Sequence, residues 1–358
     1  MNELVTPSIE ALRPYEPGKP VEEVTRELGL VEVVKLASNE NPLGAGRLAR
    51  EAVARALGTL HRYPDAAAFR LRERLAAHLG VPRADIVHGN GSNELIELLV
   101  RTFTTPAHHV VFAEPSFVVY RMACQAHGVS FTAVPLRDHV HDLEAMAAAV
   151  RPETRLVFVC SPNNPTGTIV DPGALERFLR EVPPSVIVVL DEAYVEYVDA
   201  PGHADGCRLR DLRERLVILR TFSKIHGLAA LRVGYAVAPE RLAAYLDRVR
   251  APFNVGTLGQ VAAVAALDDV EHVEHSRGTN RRERAALHAR LRDLGLGVVP
   301  SQANFVFVDL HRPAREVFEA ALQRGVIVRP LAGSWARLTV GIPAENQRMM
   351  TVLAEVLA

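Results

Sequence analysis

Short apolar segments alternate with longer amphipathic ones from about residue 47 onward, and this alternation constrains the fold most strongly. The apolar segments are nearly continuous runs of Val, Ile and Leu, which is typical of strands covered by helices on both faces. We therefore expect an α/β fold with a large lobe built on a mostly parallel sheet flanked by helices. The predicted strands are DIVHG (85–89), HVVFAE (109–114), RLVFVC (155–160), SVIVVL (185–190), RLVILR (215–220) and RVGYAVA (232–238).

Amphipathic segments between these strands predict helices over residues 93–103 and 171–182. Asp171 is the expected N-cap of the second helix, with Pro172 at its first position. Residues 258–295 have the pattern of one long helix, with a charge density that rises through the second half. The pattern of this segment differs from the strand–helix alternation before it, which indicates a separate structural unit.

A second, smaller α+β lobe is predicted at the C-terminal end. A strand at 303–310, a helix at 313–325 and two short strands follow the long helix. Because 358 residues exceed what one hydrophobic core usually supports, two lobes are expected. The predicted division is an N-terminal arm packing on the small domain (1–45), a large domain (46–262) and a small domain (263–358).

Composition excludes several classes of function. The 41 basic and 42 acidic residues leave a net charge of −1, so no strong field attracts nucleic acid or an anionic membrane. No apolar run approaches the roughly 20 residues of a membrane span, and the N-terminus lacks the basic residues of a secretory signal. Cys124, Cys160 and Cys207 are odd in number and far apart, which indicates reduced thiols and a cytoplasmic protein. The histidine pairs lack further ligands at suitable spacing, so no metal site is predicted.

Polar loops follow five of the predicted strands. They are GNGSNEL (89–95), EPSF (114–117), SPNNPTG (161–167), DEAY (191–194) and TFSK (221–224). The carboxyl ends of parallel strands share one edge of a sheet, and ligands of open α/β sheets bind there. The loops therefore predict one composite site.

An anion cup is predicted within this site. One side is the start of a helix, whose unpaired backbone N–H groups and dipole attract a phosphate. The other side supplies two hydroxyls and a guanidinium, which has the fork geometry that suits phosphate oxygens. The residues of the predicted cup are Gly91, Ser92, Asn93, Thr221, Ser223 and Arg232.

Five further residues match the remaining edges of pyridoxal 5′-phosphate. Asp191 ends an apolar strand, so its charge needs a cationic partner, and a protonated pyridine nitrogen is one. Tyr194 and Asn164 can donate to a phenolate oxygen, and Phe117 offers a face for ring stacking. Lys224 supplies an amine able to form a Schiff base with the aldehyde. Each residue alone also has a purely structural interpretation: Lys224 as a solvated lysine, Asp191 as a capping residue, Asn164 as part of a turn and Phe117 as part of the core. Their combination favours the cofactor site.

The sequence resembles the fold-type I pyridoxal-phosphate aminotransferases, specifically the histidinol-phosphate aminotransferase branch. The resemblance implies a homodimeric transaminase that exchanges an amino group between L-histidinol phosphate and 2-oxoglutarate in histidine biosynthesis. It extends over essentially the whole chain. The motifs that carry it are PYEPGKPVEEVTRELGL (14–30), VKLASNENPLG (34–44), RYPD (62–65), SPNNPTG, DEAY, TFSKIHGLAALRVGY (221–235), ANFVFV (303–308) and ENQRM (345–349).

The resemblance also implies roles for individual residues. Lys224 is expected to bond to the cofactor and to carry the substrate proton, and Tyr63 to reach the cofactor phosphate of the neighbouring subunit. Arg337 is expected to bind the α-carboxylate of glutamate. Tyr15 and Arg329 match positions associated with the substrate phosphate. Another position, Asn39, belongs to a motif near the point where the substrate enters.

Two positions depart from the family pattern. Phe117 stands where many members have tyrosine, so a hydrogen bond from the stacking ring is either absent or supplied by Tyr120. Trp335 lies in an unusually short segment and is expected to alter the pocket of the amino acceptor.

Other functions remain open from the sequence alone. An aromatic-amino-acid aminotransferase shares every cofactor residue, and a phosphothreonine decarboxylase or a non-catalytic sensor uses the same scaffold. A nicotinamide-dependent dehydrogenase would use GNGSNE and Glu114, but Glu94 replaces the third glycine of that fingerprint. The dehydrogenase interpretation also leaves Lys224 and Asp191 without a function.

Overall fold

A computed structural model describes residues 4–14, 18–30, 32–203 and 205–358. None of the helices within these ranges has the length and apolarity needed to cross a membrane. The α-helices are α1 (Pro7–Glu10), α2 (Val21–Leu28), α3 (Arg47–Ala56), α4 (Phe69–Leu79), α5 (Gly91–Phe103), α6 (Val119–Ala126), α7 (Leu143–Ala148), α8 (Pro172–Glu181), α9 (Glu240–Val249), α10 (Thr257–Ala266), α11 (Val270–Asp293), α12 (Ala314–Leu322) and α13 (Pro343–Leu357). The strands are β1 (Val34–Lys35), β2 (Ile86–Gly89), β3 (His109–Glu114), β4 (Ser130–Pro135), β5 (Thr154–Cys160), β6 (Ile187–Asp191), β7 (Leu216–Thr221), β8 (Gly234–Val237), β9 (Gly297–Val299), β10 (Phe305–Asp309), β11 (Val326–Ile327), β12 (Arg329–Pro330) and β13 (Trp335–Thr339).

A seven-stranded sheet with the order β2-β8-β7-β6-β5-β3-β4 forms the centre of the larger lobe. Its strands pair in parallel except for β8, which is antiparallel to both β2 and β7. Side chains of β5 alternate between two cores, with Val157 and Val159 on one face and Leu156 and Phe158 on the other. Burial on both faces explains the unbroken apolar runs, and the α/β prediction is confirmed.

The short strands β1 and β9 were not predicted, and two further differences have a clear physical reason. The expected single helix over 258–295 is two helices, α10 and α11, separated by Leu267–Asp269. The break falls at Asp269 because its side chain accepts a hydrogen bond from the His272 N–H. Asp269 is thus the N-cap at which a new helix, α11, begins. Strand β4 was missed because it is a half-exposed edge strand that lacks a continuous apolar run.

A four-stranded antiparallel sheet with the order β12-β13-β10-β9 lies in the C-terminal part of the chain. Helices α11, α12 and α13 contribute to the core that covers it. The N-terminal segment joins this unit, because β1 pairs in parallel with β11. Val24 and Ala37 pack there with Leu322 and Ile327. The predicted domain boundaries at residues 45 and 262 stay a prediction.

Candidate active site

The loops that follow β5, β6 and β7 meet the start of α5 around a cavity of about 460 Å³. This volume lies within the range of small-molecule and cofactor sites. Residues 38–39 and strand β13 close the cavity on the side of the smaller sheet. The predicted residues that line it are Asn39, Ser92, Asn93, Phe117, Asn164, Asp191, Tyr194, Thr221, Ser223, Lys224, Arg232 and Arg337.

The predicted anion cup lies where α5 begins. Gly91 has a φ of +74°, and a Cβ there would lie only 2.5 Å from a terminal nitrogen of Arg232. Glycine therefore lets the guanidinium approach the helix N-terminus. Arg232 donates to Ser223 Oγ at 3.5 Å, and the Thr221 hydroxyl donates to the same oxygen at 3.0 Å. The cup thus combines a helix N-terminus, two hydroxyls and a cation, as an anionic phosphate requires.

Asp191 lies at the end of β6 and is 2% exposed. Its Oδ2 accepts a hydrogen bond from the Tyr120 hydroxyl at 2.6 Å, and its Oδ1 accepts one from the Ala193 N–H at 3.2 Å. Burial raises the pKa of the Asp191 carboxyl above its ordinary value, while these hydrogen bonds and the charge of Lys224 oppose that rise. A cation bound in the cavity beside Asp191 would stabilise the ionised form.

Tyr120 is the residue of this site whose role the sequence did not reveal. It was predicted only as a substitute hydrogen-bond donor for the stacking ring, but its hydroxyl binds Asp191 instead. Its ring is fully buried and stacks on Phe158 at 4.6 Å. Phe117 lines the cavity and meets Tyr120 edge-on at 5.8 Å. Contacts with the Phe158 and Phe117 rings fix the Tyr120 ring, whose hydroxyl donates to Asp191 in the cavity wall.

The Lys224 amine points into the cavity, where Nζ donates to the Ser38 carbonyl oxygen at 3.4 Å. It lies 5.5 Å from the centre of the Tyr194 ring. Burial lowers the pKa of Lys224 to about 7, and the positive charges of Arg337 and Arg232 act in the same direction. A large share of the amine is therefore neutral near pH 7 and able to act as a nucleophile or base.

Two amide side chains orient the donors on the other side of the cavity. The Arg337 guanidinium donates to Asn164 Oδ1 at 2.6 Å and to the Ala37 carbonyl oxygen at 2.6 Å. Because Asn164 Oδ1 is occupied, the NH₂ group of Asn164 is the part that can donate to a ligand. Asn39 Nδ2 donates to the Tyr194 hydroxyl oxygen at 2.9 Å.

Three predicted residues within the described ranges do not line the cavity. Tyr63 is 83% exposed and stacks on Phe253 at 4.8 Å, away from the cavity lining. Arg329 faces Arg337 across the β12–β13 pair and does not line the cavity. Gly91 begins α5 at the cup but does not line the cavity, and the predicted Tyr15 lies outside the described residues.

Trp335 and Glu114 have structural surroundings outside the site. Trp335 stacks on Phe307 at 4.3 Å and lines a separate surface groove beside His139. Glu114 is exposed and forms an ion pair with Arg121. The ribose contact that a dehydrogenase needs from Glu114 is therefore missing from this cavity.

Several lining residues were not predicted; four of them lie on the faces of α5 and α6, where single side chains carry no local motif, and two lie in loops. Glu94 is one of them; its carboxylate accepts from the Asn90 N–H at 2.6 Å and from the Asn254 amide at 2.6 Å. It thus caps α5 and ties the segment before α10 to the cup. The lining residues that the sequence did not indicate are Ser38, Glu94, Glu97, Val119, Met122 and Ala193.

The donor set of the cavity fits pyridoxal 5′-phosphate. An anion cup lies at one end, a buried carboxylate and amide and hydroxyl donors lie on its walls, and an amine with a lowered pKa faces the same space. Each feature complements one polar edge of that molecule.

Comparison with known proteins gives a consistent result. The family model for aminotransferase class I and II matches residues 31–357. A histidinol-phosphate aminotransferase of Moorella thermoacetica is 50% identical over 356 residues, covering 98% of this chain and 92% of that protein. Histidinol-phosphate aminotransferase 2 of Pseudomonas aeruginosa is 48% identical, with coverage of 99% and 98%. The structure of histidinol-phosphate aminotransferase from Sinorhizobium meliloti in complex with pyridoxal-5′-phosphate matches with a TM-score of 0.91 and 29% identity, covering 100% of this chain and 98% of that one.

Proposed function

Because this chain belongs to the aminotransferase class I and II family, we propose that it transfers an amino group between L-histidinol phosphate and 2-oxoglutarate with pyridoxal 5′-phosphate as cofactor. The products are imidazole acetol phosphate and L-glutamate. Relatives of that name, about half identical over nearly their whole length, support the choice of substrate. The observation that carries the chemistry is the Lys224 amine, with its pKa lowered to about 7, in one cavity with the buried Asp191 carboxylate.

Each part of the cavity has a task in holding the cofactor. The start of α5 with Ser223 and Arg232 would bind the phosphate, and Asp191 would bind the protonated ring nitrogen. Asn164 and Tyr194 would donate to the ring oxygen. When bound, pyridoxal 5′-phosphate supplies an aldehyde that condenses with amines and a ring that accepts the electron pair left on the substrate Cα.

Lys224 and Arg337 handle the substrate in this proposal. The neutral Lys224 amine would take the proton from the substrate Cα and pass it to the cofactor carbon that carries the amino group, and in the second half of the reaction it would carry a proton in the opposite direction. Arg337 binds the α-carboxylate of glutamate, for which a planar fork of donors is suited. Arg329, beside Arg337 in the sheet, is the proposed contact for the substrate phosphate. Asp191 remains ionised throughout and so favours the protonated ring.

We also propose that the active unit is a homodimer. Residues 57–69 present large apolar side chains to solvent, with Leu57 52% and Leu60 58% exposed. The stacked pair Tyr63–Phe253 adds a further apolar surface. A second copy that covers this surface would bring Tyr63 to the anion cup of its partner, as the family resemblance implies.

A complementation assay tests the shared site. Lys224→Ala and Tyr63→Ala proteins, each inactive or weak alone, are unfolded together and refolded as a mixture. If Tyr63 acts across the interface, mixed dimers have one intact site and the mixture recovers about a quarter of wild-type activity. If Tyr63 serves its own chain, the mixture stays as weak as its components.

A half-reaction screen tests the substrate. The protein reconstituted with cofactor is mixed separately with histidinol phosphate, phenylalanine and tyrosine, and the loss of the visible absorption band is followed. We expect histidinol phosphate to react with the largest second-order rate constant, and Lys224→Ala to be at least about 10³-fold slower. A faster reaction with phenylalanine or tyrosine would assign the chain to aromatic amino acids instead. Failure to acquire any visible band would contradict the cofactor itself.

A further inference from the structure

We propose that Asn39 is a positioning residue that fixes the Tyr194 hydroxyl as a hydrogen-bond donor toward the cavity. The inference rests on the proposed function, because it assigns the direction of one hydrogen bond to the cofactor ring. It differs from the expectation that Asn39 belongs to the route by which the substrate enters. Two observations carry it: the contacts of the Asn39 carboxamide, and the hydroxyl group that fixes the orientation of that carboxamide.

Asn39 is held from every side. It is 1% exposed and has a φ of +56°, a left-handed conformation that asparagine adopts more readily than most residues. Its backbone N–H donates to Thr339 Oγ1 at 3.0 Å, and its carbonyl oxygen accepts from Asn304 Nδ2 at 3.1 Å. Both partners belong to or adjoin the smaller sheet, so the loop of residues 38–41 is attached to that sheet beside the cavity.

The side chain of Asn39 has one available orientation. Thr339 Oγ1 accepts from the Asn39 N–H at 3.0 Å and donates its own proton to Asn39 Oδ1 at 3.1 Å, the acceptor that the described residues offer it. The NH₂ end of the carboxamide therefore faces Tyr194, where Nδ2 donates to the hydroxyl oxygen at 2.9 Å. A hydroxyl that accepts this bond keeps its own proton for another acceptor. The chain Thr339, Asn39, Tyr194 thus directs one proton into the cavity.

The direction of this hydrogen bond matters because the proposed acceptor is the negatively charged ring oxygen of the cofactor. A hydrogen-bond donor on that oxygen stabilises its negative charge. It therefore lowers the pKa of the neighbouring nitrogen through which Lys224 would join the cofactor, because that nitrogen shares its proton with the ring oxygen. If Asn39 were an acceptor, the Tyr194 proton would be held away from the cavity. Among the described residues, the other titratable and charged groups near Tyr194 are Arg337, Lys224, Asp191, Cys160 and Tyr197, and a substitution of Asn39 changes none of the five.

The test is a pH titration of the visible absorption band of the reconstituted protein. We expect Asn39→Ala to raise the midpoint by about one pH unit, the size of one hydrogen bond to a charged group. Asn39→Asp keeps the shape but offers an acceptor to the Tyr194 proton, so its midpoint is expected to rise at least as far. Asn41→Ala is the matched control. Asn41 lies in the same loop and donates buried hydrogen bonds to the Ile225 carbonyl and the Ser276 hydroxyl. Because Asn41 does not line the cavity, the midpoint of the Asn41→Ala protein should equal that of the wild type.

A double-mutant cycle separates positioning from an independent role. If Asn39 acts through Tyr194, the Asn39→Ala/Tyr194→Phe protein has the midpoint of Tyr194→Phe alone. Additive shifts, or a raised KM for substrate with an unchanged midpoint, overturn the inference and make Asn39 a direct contact. If Asn39→Ala does not fold, Thr339→Val replaces it, since it leaves Asn39 in place and removes the hydroxyl that orients it. Its midpoint should also rise, and an unchanged midpoint overturns the inference. A wild-type protein that gains no visible band contradicts the proposed function rather than this role of Asn39.

Discussion

Asp191 and Glu192 are consecutive buried acids at the end of β6, and their surroundings differ completely. Two nitrogens of Arg220 donate to Glu192 Oε2, at 2.7 and 2.9 Å, and the Gly206 N–H donates to Oε1 at 2.7 Å. Asp191 accepts its hydrogen bonds within the described residues from neutral donors, Tyr120 and the Ala193 backbone. The two carboxylates are 2% and 3% exposed, so burial does not distinguish them.

The difference lies in where each charge finds its counter-ion. Glu192 has a cation inside the protein, and the pair contributes to the structure of the fold. Burial raises the pKa of both carboxyls, so the pKa does not distinguish them, but Asp191 faces a cavity and Glu192 does not. A buried acid in this situation is stabilised when a ligand brings a positive group, which a protonated pyridine nitrogen does. The comparison yields four predictions, which follow in order of expected effect.

The largest effect is expected for Glu192→Gln. Among the described residues, this change leaves the buried Arg220 guanidinium with the half-exposed Asp205 as its ion-pair partner, at 2.6 Å. The free energy of unfolding of the cofactor-free protein should fall by about 3–5 kcal/mol, measured by urea denaturation. Glu176→Gln, which breaks an exposed ion pair with Arg180 on α8, is the control and should change little. Equal effects of the two changes would contradict a structural role for Glu192.

Asp191→Asn should impair catalysis and leave stability unchanged, unlike Glu192→Gln. We expect kcat to fall by about 10²–10³-fold, with no loss in the free energy of unfolding. Because burial raises the folded-state pKa of Asp191, the folded protein holds that proton more tightly than the unfolded chain. Ionised Asp191 therefore destabilises the cofactor-free fold as the pH rises from the unfolded-state pKa through the folded-state pKa. Replacement by asparagine removes this dependence. Marked unfolding of the cofactor-free variant near pH 7 would show that Asp191 is a structural acid like Glu192.

Tyr120→Phe should have a smaller effect on the same carboxylate. The substitution keeps the stacking on Phe158 and removes one hydrogen bond to Asp191, which is worth about 1–1.5 kcal/mol. The dissociation constant of the cofactor is expected to increase about five- to tenfold in equilibrium dialysis. Tyr235→Phe removes a buried hydroxyl beside Arg220 and is the matched control on the Glu192 side. A cofactor affinity that changes equally in both variants would contradict a link through Asp191.

The smallest effect concerns the pH dependence of Lys224. With a pKa lowered to about 7, its neutral fraction less than doubles between about pH 7 and 8. The neutral fraction of a partly exposed lysine whose pKa is above the ordinary value, such as Lys19, increases about tenfold over the same interval. Labelling of the cofactor-free protein with an amine-reactive reagent, followed by peptide mass spectrometry, measures both residues in one sample. A tenfold increase in the labelling of Lys224 over this interval would show that the pKa of its amine is not lowered.

The sequence was most informative where burial imposes a local pattern. Strand β3 was predicted with its observed bounds, because every residue but the last is buried and the run is unbroken. Lys224, Asp191 and Asn164 were found because each follows such a strand. Edge strand β4 has no such pattern, and the break between α10 and α11 depends on the capping of one helix by Asp269.

The hydrogen bonds that orient the site could not be read from the sequence. Tyr120 and Asp191 are 71 positions apart, and Asn39 and Tyr194 are 155 apart. No local spacing indicates such pairs, because they arise only when the sheet brings distant loops to one edge. The sequence therefore predicted most of the residues that line the cavity, while their supporting hydrogen-bond partners required the fold.

The protonation state of the bound ring nitrogen tests most directly whether Asp191 takes its counter-ion from the ligand. Nuclear magnetic resonance of the protein reconstituted with cofactor carrying an isotope-labelled ring nitrogen reports that state. We expect a protonated nitrogen in the wild-type protein and an unprotonated one in Asp191→Asn. An unprotonated nitrogen in the wild-type protein, or the same signal in both proteins, would contradict the account.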